Sequence, residues 1–188
     1  SIANQIITGD FSFENDSEGV VSVVVDEASL LIGTADRSYV TVNGVSGNFE
    51  IDENGTFVRL IAVQGSGDGQ VNNPRSVFLG PDNRIYVADT SRHRIQIFDR
   101  NGTIIRKFGV NGSGDGEFRE PHAVLVSANN EVYVADSSNH RIQVFDSNGN
   151  FLRKFGSLGN LEGQMHNVHD IAFSDQGNLM VADWHNRR

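Results

Sequence analysis

Three residues at intervals of 47 positions carry side chains that could do chemistry: Arg75, His122 and His169. Two imidazoles brought together supply two of the three protein ligands of a His-based catalytic zinc site, and a guanidinium neutralises a carboxylate. The same side chains also bind ligands by hydrogen bonds alone, without any reaction. Either role requires that the fold place the three positions side by side.

The spacing of 47 residues belongs to a repeat. "IYVADTSRHRIQIFDRNGTIIRKFG" at 85–109 aligns without a gap with "VYVADSSNHRIQVFDSNGNFLRKFG" at 132–156, and "LMVADWHNRR" at 179–188 continues the series. An eroded copy precedes them. We therefore expect regular repeats over residues 65–188 and a degenerate portion over residues 1–64.

Each repeat reads as four short strands separated by turns. Asn-Gly pairs at 101–102 and 148–149 supply the positive φ angles of tight hairpins. A four-stranded meander cannot bury both of its faces alone, and radial stacking of copies solves this, as in a β-propeller. The predicted fold class is all-β, a propeller with about four blades in residues 1–188, treated as a single domain or segment; a linear β-solenoid is the rival.

The chain length of 188 residues equals four periods. Residues 1–14 correspond to a third and fourth strand of the repeat. In one hypothesis they complete the last blade of a small ring, and in the other the chain is a segment of a larger propeller. In either ring, first strands line the channel, so Arg75, His122 and His169 are predicted neighbours on its rim.

Three sequence features resemble the NHL repeat: "GSGDGEF", "VYVADSSNHRIQVFD" and "NGNFLRKFG". The resemblance implies a six-bladed propeller, with the missing blades supplied by the rest of a parent chain. Members of this family include tripartite-motif ubiquitin ligases, in which the propeller would be a substrate-recognition region, and translational repressors, whose propellers bind proteins or RNA.

The zinc-dependent lyase half of peptide-amidating enzymes belongs to the same family. "PHA" at 121–123 and "VHD" at 168–170 resemble the segments that hold its zinc, which would make His122 and His169 metal ligands. A third ligand is not visible in the sequence, and the cysteines typical of the animal lyases are absent. Zinc is the only cofactor that the sequence suggests.

Paired charges recur five residues apart at the turn between the second and third strands. A carboxylate there can accept turn amides and pair with the following arginine, which predicts a structural role. The glycine runs at 65–69 and 112–116 lack the Lys and Ser or Thr of a phosphate loop and are interpreted as connectors. The paired residues are Asp89 with Arg94, Asp136 with Arg141, and Asp183 with Arg188.

The loops joining second to third strands should lie on the same face as the three rim positions. Loops on a rigid sheet commonly carry recognition, with Trp and Arg as anchors. These loops extend the predicted binding face by Arg92, His93, Asn139, His140, Trp184, His185 and Asn186.

Composition limits the classes of function. The net charge is −9, and residues 1–60 hold ten acids and two bases, which argues against a general nucleic-acid coat. No cysteine is present, so disulfides and thiolate metal sites are excluded, and no apolar stretch predicts a membrane partner. The absence of cysteine favours the cytoplasm.

The sequence thus predicts a non-catalytic recognition module that binds a protein or peptide ligand through the top face of the propeller, where these positions and loops lie. A zinc-dependent lyase of the peptide-amidating type and an RNA-binding translational regulator are the alternatives. RNA is less favoured than protein because Trp184 is the only tryptophan and the arginines are scattered.

Overall fold

The structure, a computed structural model, describes residues 6–15, 21–34, 37–42, 47–51 and 57–188, with side chains from residue 61 onward. By compactness the chain divides into two units, Ser1–Asn73 and Pro74–Arg188. No helix in the described ranges is long and apolar enough to cross a membrane. The assignment of residues 1–188 to a single domain stays a prediction.

The first unit contains one antiparallel sheet. Its strands are β1 (Ile6–Asn15), β2 (Val21–Thr34), β3 (Arg37–Val42), β4 (Gly47–Ile51) and β5 (Phe57–Leu60). The order is β1-β2-β4-β5, and β3 pairs with the other half of β2. Two short parallel strands follow, β6 (Val63–Gln64) and β7 (Gln70–Val71).

This sheet departs from the regular meander expected for every repeat. Strand β4 pairs with β2 instead of with β3, so the second and third strands of this copy are not adjacent. The copy has Val42 and Gly47 where the others have the paired Asp and Arg, so the charge pair that would tie these two strands together is missing. Strand β1 pairs with β2 within this unit. The hypothesis that residues 1–14 complete the last blade stays a prediction.

The second unit contains two complete sheets and a two-stranded one. The first is β8 (Pro74–Leu79), β9 (Ile85–Asp89), β10 (Arg94–Phe98) and β11 (Ile104–Phe108). The second is β12 (Pro121–Val126), β13 (Val132–Asp136), β14 (Arg141–Phe145) and β15 (Phe151–Phe155). The last is β16 (Val168–Phe173) with β17 (Leu179–Asp183).

Both complete sheets are antiparallel meanders in chain order, which confirms the predicted all-β class with four-stranded blades. Short 3₁₀ turns at Thr90–Arg92 and Ser137–Asn139 join the second strand to the third. The third strands β10 and β14 are buried along their whole length. Burial of both faces of a strand follows when sheets stack face against face.

The core of this unit lies between consecutive sheets. Phe118, in the connector before β12, is fully buried and packs against Phe108 and Phe145, with ring centroids 6.1 and 5.5 Å away. Strand β12 contacts β8 on one side and β16 on the other. First strands of successive repeats are therefore neighbours, and so are residues 47 positions apart on β8, β12 and β16.

Candidate functional site

Each first strand of the second unit has a β-bulge at the residue that the sequence singles out. In β12 the pairing register shifts between Pro121 and Ala123, which leaves His122 outside the ladder. Arg75 and His169 occupy the same position in β8 and β16. A bulge bends its strand and re-aims a side chain, and bulges are common next to functional sites.

The bulges bring two imidazoles into contact. The ring centroids of His122 and His169 are 4.8 Å apart, with the rings edge to face at 82°. The Nδ1 atom of His122 is buried and has no hydrogen-bond partner among the residues that the structure describes. Burial, and to a smaller extent the positive charges of Arg75 and His169, lowers the pKa of His122 to about 4. His122 is therefore a neutral ring at physiological pH.

His169 also stacks on an aromatic side chain. Its ring lies 4.8 Å from that of Trp184, nearly parallel at 15°, while 62% of Trp184 remains exposed. Burial, followed by the charges of Arg75 and His185, lowers the pKa of His169. The two histidines and the tryptophan thus form a continuous row of flat rings with one polar end and one apolar end.

Two charged groups flank this row. Arg75 is exposed, and no hydrogen bond or ion pair of its guanidinium occurs within residues 61–188. Glu120 accepts a hydrogen bond of 2.6 Å from Ser138 Oγ, which lowers the pKa of its carboxyl; His122 and Arg75 lower it further. We call Arg75, Glu120, His122, His169 and Trp184 the rim.

Glu120 is a member of the rim that sequence reasoning missed. Its backbone is left-handed, with φ 52°, as are Asn73 and Asn167 at the equivalent positions of the neighbouring repeats. Asn adopts this conformation readily, whereas a longer acidic side chain does so at a cost. The signal was therefore present in the sequence, as a Glu at a repeat position that is otherwise Asn.

Two histidines predicted for the binding face tie successive repeats together. The backbone N–H of Glu120 donates to Nδ1 of His93, and that of Asn167 donates to Nδ1 of His140, both at 3.1 Å. His93 and His140 end their 3₁₀ turns in the left-handed conformation. The Nδ1 atom of each histidine therefore holds the backbone of Glu120 or Asn167, which lie two positions before His122 and His169.

The two predicted asparagines also hold the scaffold. Asn139 Nδ2 donates to both carboxylate oxygens of Asp136 and to the carbonyl of Gly112. Asn186 Nδ2 donates to one carboxylate oxygen of Asp183 and to the carbonyl of Gly159. Their amides anchor the connectors.

The remaining predicted loop residues are Arg92 and His185, and both are exposed. His185 stacks on His166 at 4.5 Å, and His166 meets His140 edge to face at 5.2 Å. His166 was not predicted, because it lies in a connector outside the aligned strand segments. The rings of His140, His166 and His185 thus form a second group, located in the turns and connectors. Within it, Nδ1 of His140 accepts the hydrogen bond from the Asn167 backbone N–H.

The predicted structural charge pairs are formed in all three repeats. The nitrogen-to-oxygen distances are 2.7 Å for Asp89 with Arg94, 2.7 Å for Asp136 with Arg141, and 3.2 Å for Asp183 with Arg188. Burial raises the pKa of Asp183, but hydrogen bonds from Asn186, the His166 backbone and Arg188 lower it by more. These pairs set the turns that lead into and out of the rim.

The rim does not offer the donor set of a catalytic zinc site. Such a site takes three protein ligands and leaves one position for water. In the part of the chain with described side chains, no group of three His, Cys, Asp or Glu residues could hold a metal ion. His122 and His169 would supply two nitrogens, and the nearby Glu120 carboxylate is already bonded to Ser138. Zinc binding stays a prediction of the family resemblance.

The histidine environments predict that acid destabilises the fold. The pKa values of His122, His140 and His169 are all below the ordinary value. The unfolded chain therefore binds more protons than the folded one, and stability present above about pH 6.5 should be lost as the pH falls towards about 4.

Urea unfolding followed between these pH values tests this expectation. A His122→Gln variant, which cannot titrate, should lose less stability than the native chain over the same interval, by about 1 to 2 kcal/mol after allowance for solvent screening. Carboxylates other than that of Glu120, whose pKa His122 lowers, titrate alike in both proteins and cancel in the comparison. Parallel pH profiles for the two proteins would contradict the assigned environment of His122.

Comparisons with known proteins describe the repeat and its fold. The family model for the NHL repeat matches residues 71–98 and 118–145, in each case from the connector to the end of the third strand. A search of curated proteins found no match.

Three solved structures are similar in fold. Virginiamycin B lyase from Staphylococcus aureus is 12% identical, with a TM-score of 0.60 over 96% of this chain and 68% of that one. A gluconolactonase from Xanthomonas campestris is 15% identical, with a TM-score of 0.56 over 90% and 52%. A protein of unknown function from Bacteroides caccae is 14% identical, with a TM-score of 0.57 over 88% and 67%. These likenesses concern the β-propeller fold alone.

Proposed function

Because two consecutive blades of this β-propeller fold are NHL repeats, we propose that the chain is a recognition module that binds a protein or peptide ligand through the rim. The ligand is held by complementary shape and hydrogen bonding and is not chemically changed. The chain spans 52% to 68% of the length of the three structures compared, so the proposal concerns the surface present in these residues.

The observation that carries the proposal is the buried Nδ1 atom of His122, for which the described part of the chain offers no hydrogen-bond partner. Buried polar atoms are nearly always hydrogen-bonded, so this nitrogen supports a site at which a bound ligand or a water molecule supplies the missing partner. Next to it, Trp184 offers a large exposed ring and Arg75 an exposed guanidinium. Trp and Arg are the residues most enriched among those that dominate binding energy at protein interfaces.

A catalytic role has less support. A general base works best when its pKa is near the operating pH, and a pKa of about 4 makes His122 a weak base at neutral pH. The zinc-dependent lyase would need a third ligand beyond His122 and His169. Metal analysis of the purified chain tests it, because less than about a tenth of an equivalent of zinc after supplementation excludes a stoichiometric site.

An RNA ligand and a protein ligand differ in the salt dependence that we expect for the affinity. Binding that neutralises phosphates weakens steeply as salt rises, since counterions are released. The rim carries Arg75 as its one permanent cation and Glu120 as an opposing charge, so we expect an affinity for its ligand that changes little with salt. A steep salt slope would favour the RNA regulator instead.

Truncating Trp184 tests the recognition module. Peptides selected from a random displayed library against the full chain should bind a Trp184→Ala variant at least about 30-fold more weakly, because a central aromatic anchor contributes about 2 kcal/mol or more. Labelled peptides report the binding, since the variant lacks the chain's tryptophan.

An Ile105→Ala variant is the matched control for that experiment. It also removes an exposed apolar side chain, from the outer strand β11, and 44% of Ile105 is exposed. Its affinity for the selected peptides should equal that of the native chain. Equal affinities of the native and Trp184→Ala proteins would reject the rim as the recognition surface.

A further inference from the structure

The rim combines a free cation with neutral hydrogen-bonding rings. Arg75 is exposed and unpaired within the described side chains, while His122 and His169 meet edge to face at 4.8 Å. The pKa values of both histidines respond to the charge of Arg75. Arg75 also holds the bulge position on β8 that His122 holds on β12, and these two strands contact each other, so we place its guanidinium at the same edge of the unit as the two rings.

A guanidinium has five N–H donors and no acceptor, and a neutral imidazole has one N–H donor. A group that satisfies both at once is an acceptor with more than one oxygen and a negative charge. Arginine also matches the planar, two-oxygen geometry of a carboxylate by forming two parallel hydrogen bonds. The donor set on this face thus fits a carboxylate better than a single neutral oxygen.

We propose that Arg75, with His122 and His169, forms a carboxylate subsite in the rim, next to the apolar face of Trp184. This inference rests on the proposed function and specifies the chemical class of the ligand group. In a protein or peptide, a carboxylate comes either from an Asp or Glu side chain or from the chain's own C-terminus. The adjacent tryptophan selects a ligand with an apolar or planar group beside that carboxylate.

Glu120 sets the strength of the subsite. Its carboxylate is held by Ser138 and interacts with both His122 and Arg75. It therefore offsets part of the positive charge that a ligand carboxylate would meet, and like charges disfavour each other. Replacing Glu120 with Gln keeps an acceptor for Ser138 and removes the negative charge, which should strengthen carboxylate binding.

Blocked amino acids test the subsite with the full chain. The two charged probes are N-acetyl-aspartate N-methylamide, which carries a side-chain carboxylate, and N-acetyl-alanine, which carries a terminal one. N-acetyl-alanine amide is the neutral control. Binding is followed by the fluorescence of Trp184, which is the chain's only tryptophan and stacks on His169.

Four variants give the expected pattern. Arg75→Met should weaken binding of the charged probes by about tenfold or more, and Arg75→Lys should recover part of it. Glu120→Gln should tighten binding by about threefold. Arg106→Met removes one exposed positive charge from the outer strand β11 and should change nothing, so it controls for net charge.

The outcomes separate the two proposals. Saturable binding of either charged probe, dependent on Arg75, supports the subsite, and the stronger probe identifies the source of the carboxylate. Equal responses to charged and neutral probes, or unchanged binding in both Arg75→Met and Glu120→Gln, overturn the carboxylate subsite. In that case, peptides that still depend on Trp184 leave the recognition module standing. Probe binding without such peptides supports the subsite and rejects the recognition module.

Discussion

Replacing Asp136 with alanine is expected to lower the free energy of unfolding of the 74–188 unit by about 3 to 5 kcal/mol. Asp136 is fully buried. Its carboxylate accepts hydrogen bonds from the Arg119 backbone N–H at 2.7 Å, Asn139 Nδ2 at 2.9 Å, Arg141 Nε at 2.7 Å and Gln143 Nε2 at 3.1 Å. Removal leaves the Arg119 N–H and Arg141 Nε without this acceptor, and it leaves a guanidinium buried without its counter-charge.

The loss should spread beyond the turn itself. Arg141 also donates to the carbonyls of Ser113, Gly114 and Glu117 in the preceding connector. The carboxylate thus orients an arginine that fastens one blade to the chain segment arriving from the previous blade. An Arg141→Met change in the Asp136→Ala background should cost less than the sum of the two single changes, since the unpaired charge is removed with it.

Urea unfolding followed by Trp184 fluorescence measures the effect, because the chain's only tryptophan lies in this unit. Asp115→Ala is the matched control. Asp115 forms an ion pair with Lys154 in which both side chains are about half exposed, and such surface pairs contribute about 1 kcal/mol or less. Similar losses in the Asp136 and Asp115 variants would contradict the structural role assigned to the recurrent Asp and Arg.

The parts of the fold that follow from the sequence depend on local chemistry repeated in register. Asp99 Oδ1 accepts the backbone N–H groups of Asn101 and Thr103, and Gly102 has φ 80°, as an Asn-Gly hairpin requires. The same turn recurs at Asp146. Because each repeat carries its own turn and charge signals, the meander and the neighbouring positions of Arg75, His122 and His169 could be predicted.

The parts of the fold that could not be predicted depend on which strand pairs with which, and not on the residues of one strand alone. Pairing of β4 with β2 in the first unit could not be read from a copy in which Val42 and Gly47 replace the charge pair. The bulge at His122 is likewise invisible locally, because register is a property of two strands. The sequence located the rim but not the backbone irregularity that shapes it.

Phe118 connects the core to the rim, and its truncation is the second change with a large expected effect. Its ring is fully buried between the two complete sheets and meets Phe145 edge to face at 5.5 Å. A Phe118→Ala variant should lose about 3 to 5 kcal/mol of unfolding free energy, from lost burial and the cavity left behind. The residue lies two positions before Glu120, whose backbone N–H donates to His93.

Phe118→Ala should therefore weaken the rim as well as the fold. We expect a cavity beneath this connector to release Glu120 from its left-handed conformation and to let the bulge at His122 shift. Binding of rim-selected peptides at a temperature where the variant remains folded should fall by at least about tenfold, because misplacing a preorganised site by about 1 Å is costly. Phe118→Leu, which refills most of the space, should retain most of the stability and binding. A folded Phe118→Ala protein with native peptide affinity would show that the rim is positioned independently of this core.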